Sequence, residues 1–403
     1  MRRRILILGG TGAFGSRIAK LLAQPSAGQD RDLEIVIAGR RLDRAAALAA
    51  RLEQGGVPAQ AVACDRDRDL GAVLARERPT VFVDASGPFQ AYGGAAGRAD
   101  YGAAKLCIEA AVPYIDIADA RAFVLGIERL DAAAKAAGVP VLSGASSVPC
   151  LSGAVALELA SEFERVDAVR TWIAPGNIGA PRGHSVVAAI LSGVGRPILW
   201  RRGGRWVRTY GWQDLRRIVD SDIGRRWLAA CDVPDLDLIP RRWPEIGEAT
   251  FHAGLELGLL HFVLWSASWI VRARPATKLA AMASPASRIA TALGRFGTDV
   301  GAMRVEVEGL RGGEKIRRHW TVIARSGHGA WIPAAPAAAL ARRCCSEAPP
   351  RAGARAAFGD IGTAEILREL RGLDIAVAEK VSPFAASVAS PPTLPSPSRG
   401  EGD

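Results

Sequence analysis

The chain has 403 residues, which at roughly 100–200 residues per domain allows two or three structural units. With 49% hydrophobic and 23% charged residues it is not collagen-like, wholly disordered or a multi-span membrane protein. Its net charge of +11 does not point to nucleic acid, because the basic residues are almost all Arg and lie scattered in pairs, with no aromatic-interleaved stripe.

The N-terminal apolar run, Ile5 to Leu8, stops at Gly9 and is far shorter than the ~7–15 residues of a signal core, so a cytoplasmic location is expected. That run reads as a fully buried strand. Gly9, Gly10, Thr11, Gly12, Ala13, Phe14 and Gly15 form the turn into a helix, which continues from Ser16 to Gln24 with Ile18, Leu21 and Leu22 on one face. The turn fits Gly10-x-Gly12-x-x-Gly15 and, shifted by one, Gly9-x-x-Gly12-x-x-Gly15. Glycines in such a loop let backbone N–H groups approach a pyrophosphate at the positive end of the helix. The motif alone is weak, but here it follows a strand and opens a βαβ series.

Leu33–Ala38 reads as the second buried strand. The residue that ends this strand selects the cofactor in dinucleotide folds: an acid holds the NAD ribose, and Arg accommodates the 2′-phosphate of NADP. Here Arg40 and Arg41 stand at that place with no acid before Asp43, which favours NADP (NADPH) over NAD. Next come a helix at 43–54, a short strand at 61–63, a helix at 70–76 and a strand at 80–84. Asp65 follows the third strand, where the adenine lies; Ala85, Ser86, Gly87, Pro88 and Phe89 follow the fourth and line the nicotinamide side. A helix at 103–111, a strand at 114–117, a helix at 127–137 and a strand at 139–143 complete the series. Tyr101 and Lys105, with Ser86 upstream, match the catalytic spacing of short-chain dehydrogenases, but the intervening strand–helix unit is missing and the match reads as coincidence.

The alternation predicts α/β architecture: a Rossmann-type doubly wound parallel sheet over residues 1–150. After it the pattern changes. All ten Trp residues fall between Trp172 and Trp331. A strand at 166–174 and two Gly-Gly hairpins, at 198–210 and 303–324, predict a second α+β domain with antiparallel strands over 151–335. Residues 336–385 are expected to return as helices to the first domain, and 386–403, rich in Pro and Ser, to be a disordered tail. Residues 257–271 are the most apolar stretch, yet at ~1.5 Å per residue they fall short of a ~30 Å hydrocarbon core. A buried or homodimer-interface helix is the first reading, and a helix peripheral to the membrane, lying in its surface, the second. The six Cys and five His show no ligand spacing, so no metal is expected.

Taken together, GGTGAFG, AGRR, VDASGPFQAYG, YIDIADARAF and SGASSVPCLSG, with RFGTDVGAM and HGAWIPA later, resemble the saccharopine dehydrogenase-like oxidoreductases, across residues 4–380. The resemblance implies that the glycine loop carries the pyrophosphate, Arg40 and Arg41 the 2′-phosphate, and Ser86–Phe89 the nicotinamide. It also implies that Asp116 faces the cleft and that Ser146 and Ser147 belong to a loop closing it. Many relatives carry Thr-Gly-Glu after that Asp; here the residues are Ala118, Asp119 and Ala120. Asp116 and Tyr92 are the two candidate proton carriers. The expected function is hydride transfer between a nicotinamide cofactor and a small-molecule substrate between the domains, in a bacterial enzyme. The alternatives are a trans-acting enoyl reductase of a lipid precursor and a non-catalytic, membrane-associated NADP-binding protein.

Overall fold

The computed structural model describes residues 3–24, 32–92, 100–180 and 183–383. Two sheets organise it. The first contains β1 (Arg3–Leu8), β2 (Leu33–Gly39), β3 (Ala59–Ala63), β4 (Val81–Asp84), β5 (Tyr114–Asp116) and β6 (Pro140–Ser143). Apart from Arg3, Arg4 and the edge strand β3, these strands are short apolar runs whose side chains are buried on both faces, as parallel strands between helical layers must be. All pairings in this sheet are parallel.

The second sheet is mixed. Its strands are β7 (Arg165–Ala174), β8 (Pro197–Arg202), β9 (Arg205–Tyr210), β10 (Arg216–Asp220), β11 (Gly224–Ala230), β12 (Glu248–Ala253), β13 (Gly301–Arg311) and β14 (Glu314–Ala324). Here β12 runs parallel to β7 and the other pairs are antiparallel. Both hairpins turn on glycine pairs with positive φ, Gly203–Gly204 at 59° and 73° and Gly312–Gly313 at 59° and 81°. That backbone matches the twist of the strands it joins, and side chains with a Cβ rarely adopt it.

The chain then visits each sheet once more. β15 (Gly353–Ala356) adds to β6, so the first sheet has the order β15-β6-β5-β4-β1-β2-β3. β16 (Ile375–Pro383) adds to β14 at the edge of the second sheet. Between them the helix Ala335–Cys344 is buried along almost its whole length, and its alanines allow close packing against β4, β5 and the helix Gly15–Leu22. One apolar core runs from the first sheet through this helix and the helix Ser152–Ala160 into Met303, Val305 and Val322 of the second. The disordered tail expected at 386–403 lies outside the described residues.

Candidate functional site

In the first sheet β1 lies between β2 and β4. The connections leave β1 in opposite directions on its two sides, and the crevice at such a switch point is where open α/β sheets bind ligands. The glycine loop follows β1 there, and Ala85–Phe89 follows β4. The two touch: a Cβ on Gly9, whose φ is +73°, would lie 2.6 Å from the Ala85 carbonyl oxygen. A Cβ on Gly15 would lie 2.3 Å from the Gly9 oxygen, so helix and loop close on each other only because both positions are glycine. Gly12 is exposed, its N–H donating to the Gly9 carbonyl at 2.8 Å, and a Cβ there would meet nothing else within 4 Å. The loop is thus packed from behind and open in front, the shape a pyrophosphate needs. Thr11, Ala13 and Phe14 are half-buried in the same turn.

Arg40 and Arg41 are exposed just past β2; the Arg41 guanidinium pairs with exposed Asp43 at 2.8 Å. Such an exposed pair is weak and yields readily to a phosphate. Asp65 follows β3, and its carboxylate accepts from the Asp67 N–H at 3.0 Å, shaping the turn.

After β4, Ser86 Oγ donates to Asp84 Oδ1 at 2.6 Å and stands 2.8 Å from the Tyr92 hydroxyl. The Arg66 guanidinium lies over the Tyr92 ring, 3.6 Å from its centre. Burial raises the Asp84 carboxyl and pushes the Tyr92 hydroxyl up to about 12, so Tyr92 is a phenol at neutral pH. Phe89 packs on Tyr92 and Phe123. Gly87 and Pro88 are joined by a cis peptide bond, and the Gly87 carbonyl accepts from Ser185 Oγ at 2.9 Å. Ser185 lies in the first turn of the helix His184–Gly193, so the segment after β4 touches the part of the chain that follows the first sheet.

Asp116 pairs across β4–β5 with Asp84. It is fully buried. Its Oδ1 accepts from the Ala118 N–H (2.9 Å), the Gly144 N–H (2.8 Å) and Ser143 Oγ (3.0 Å), while Oδ2 has no partner. Burial pushes this carboxyl up to about 7. Ser146 and Ser147 are buried in the next turn. Three residues after Asp116, Asp119 reaches solvent and accepts from Gln90 Nε2 at 2.8 Å, so this loop presents an acid one place from the relatives' Glu. Tyr101 is buried with its hydroxyl donated to the Phe123 carbonyl at 2.8 Å, while Lys105 is exposed; the short-chain dehydrogenase pair is not assembled.

Asp84, Arg66, Asp119 and Ser185 were not evident in the sequence. Asp84 carries a visible signal, an Asp closing an otherwise apolar strand just ahead of the nicotinamide loop. Ser185 carries none, being about a hundred residues away in another domain.

Comparison with known proteins agrees with this geometry. Residues 5–142 match the saccharopine dehydrogenase NADP binding domain. An apo histidine-tagged saccharopine dehydrogenase (L-Glu forming) from Saccharomyces cerevisiae shares the fold, with TM-score 0.64 and 14% identity over 94% of this chain and 100% of the other. A probable dehydrogenase from Thermotoga maritima aligns over 91% of this chain and 94% of its own, at 11% identity and TM-score 0.42. No curated protein matches the sequence. The chain thus carries, over residues 5–142, a segment matching the saccharopine dehydrogenase NADP binding domain, and 94% of its length shares the fold of the yeast enzyme.

Proposed function

We propose that the chain is an NADP-dependent oxidoreductase acting on a small substrate held between its domains. The observation that carries this reading is the contact of the glycine loop with Ala85–Ser86, continued by the Ser185–Gly87 hydrogen bond. A dinucleotide held by Gly10–Gly15 would extend along Ser86–Phe89, where the second domain meets the first. When bound, it supplies the hydride chemistry. The protein's part is to hold the pyrophosphate on the loop, to engage the 2′-phosphate with Arg40 and Arg41, and to keep a proton at Tyr92. That proton is held by the Ser86–Asp84 chain beside the place for the reacting ring. Asp116 has its ordered oxygen committed to the 143–144 turn, and its role in this reading is to position that turn.

A second reading, reduction of an enoyl group on a lipid precursor, is favoured by one observation: the helix Gly258–Ala273 turns an apolar face outward. Turnover of an enoyl thioester with NADPH would select it.

Titration with NADPH and NADH, followed by nicotinamide fluorescence, tests the cofactor assignment. NADPH is expected to bind more tightly, and Arg40→Ala with Arg41→Ala to weaken it about 10- to 100-fold while leaving NADH nearly unchanged. Equal affinity of the wild type for both would remove the arginine argument.

A further inference from the structure

The helix Gly258–Ala273 turns apolar side chains to solvent as well as inward. Its inward positions include His261, Ser268 and Val271, all buried. Ser268 Oγ accepts from Gln213 Nε2 at 3.2 Å and donates to the Trp265 carbonyl at 2.6 Å, and Gln213 in turn accepts from Arg272 at 3.0 Å. The outward positions recur at helical spacing and are apolar: Leu259 (73% exposed), Phe262, Val263 (55%), Trp269 (47%) and Ile270 (58%). Phe262, Trp265 and Trp269 form an edge-to-face row with ring centres 6.3 and 6.2 Å apart. The patch continues beyond the helix in exposed Met282, Ile289 and Phe296. An ordinary surface helix has the opposite arrangement, and a water-facing stripe of this kind marks an interaction site.

The charges identify the occupant. From Leu257 to Gly297 the chain holds no Asp or Glu and five cations, Arg272, Arg274, Lys278, Arg288 and Arg295. All five are exposed, Arg272 while also donating inward to Gln213. The preceding acid, Glu256, is buried against Arg226 at 2.9 Å. A second copy placed face to face would bring two acid-free cationic rims together, whereas a surface bearing anionic headgroups neutralises them. Trp269, with an apolar body and a polar N–H, suits the headgroup boundary. Among the described residues no helix is long and apolar enough to cross a membrane, so the contact is made with the bilayer surface.

We infer that residues 258–296 dock the protein on an anionic lipid surface, the outward face of Gly258–Ala273 entering the acyl boundary and the five cations meeting the headgroups. The inference does not depend on the cofactor assignment. It is tested by co-sedimenting the full chain with vesicles of phosphatidylcholine alone and of phosphatidylcholine with phosphatidylglycerol. Binding is expected only to the anionic vesicles and is released at high ionic strength. Val263→Asp with Ile270→Asp is expected to lower it at least about tenfold, and Arg274→Gln, Lys278→Gln, Arg288→Gln and Arg295→Gln together by a similar factor. NADPH affinity should be unchanged in both variants, which shows that they are folded. A wild type that stays in the supernatant, or that binds neutral vesicles equally well, overturns the inference. So does a wild-type dimer that the Asp variant dissociates without any vesicle binding, since a second copy would then cover the face.

Discussion

Asp116 shows how one residue can carry the fold's electrostatics. Its carboxyl is raised by burial from 3.8 to about 7, so the folded state prefers the protonated form and binds a proton that the unfolded chain releases. The contribution is full below about pH 4, falls as pH rises through about 7 and is then constant, a loss on the order of 4 kcal/mol. Asp116→Asn keeps an oxygen for the Ser143, Ala118 and Gly144 donors and removes the ionisation. Urea unfolding at pH 5 and pH 8 should therefore show the variant gaining on the wild type as pH rises. A parallel pH dependence in the two proteins would mean that Asp116 is not the titrating group. The residues that follow from chain chemistry alone were legible: the glycine loop and the Arg pair sit where strand ends put them. Arg66 and Asp119 lie beside residues the sequence does single out, whereas Ser185 comes from a segment about a hundred residues away, and no local spacing encodes that.

At the scale of elements, the helix that opens from the glycine loop is held at its far end by another. Arg342, on Ala335–Cys344, donates from Nη2 to the carbonyls of Leu21, Leu22 and Gln24 at 3.0–3.1 Å, and its Nε pairs with Glu369 at 3.1 Å. Carbonyls at a helix C-terminus lack intrahelical donors and favour a cation. Arg342→Ala leaves them, and a nearly buried Glu369, without this partner. A loss of about 3 kcal/mol is expected in thermal or urea unfolding, with Arg342→Lys recovering only part because an ammonium lacks the guanidinium fork. Wild-type stability in the alanine variant would show that the clamp is dispensable. Elements with a strong local signal were readable: both hairpins announce themselves through Gly-Gly, and the parallel strands through unbroken apolar runs. Strands β10 and β11 were not, since their Arg pairs give no apolar run, and partners for Arg216 (Asp214, Glu248) and Arg226 (Glu256) come from elsewhere in the chain. The apolar run at 257–271 was legible as a helix, but not in its orientation. His261 and Ser268, seven residues apart, mark the inner face only once the Gln213 contact is known.

Over the whole molecule, the two sheets and the helices around them are clasped by charged side chains. Arg121 on the side of the first sheet reaches Asp237 (2.6 Å), Asp232 (2.9 Å) and the Leu199 carbonyl (2.9 Å) on the side of the second, and Arg241 from that side reaches Glu128 at 3.1 Å. Arg121→Ala is expected to lower the melting temperature by several degrees and to raise KM for a substrate between the domains more than it lowers kcat. Unchanged melting would place the cohesion in the shared apolar core instead. The α/β class and its mixed second sheet could be read from the order of strands and helices. The sequence points to a helical return of 336–385 to the first domain; the helix Ala335–Cys344 does pack on β4 and β5, but Gly353–Ala356, four residues with no pattern of their own, joins that sheet as a strand, and β16 joins the second sheet instead.

That return has a consequence for synthesis. The edge of the cofactor sheet is supplied by β15, and the helix that covers β4 and β5 ends at Cys344, while the glycine loop is made within the first fifteen residues. A nascent chain emerging from the ribosome therefore carries a finished phosphate loop on an unfinished sheet for more than three hundred residues. The sheet that carries the loop reaches its full seven strands only once residue 356 has been made.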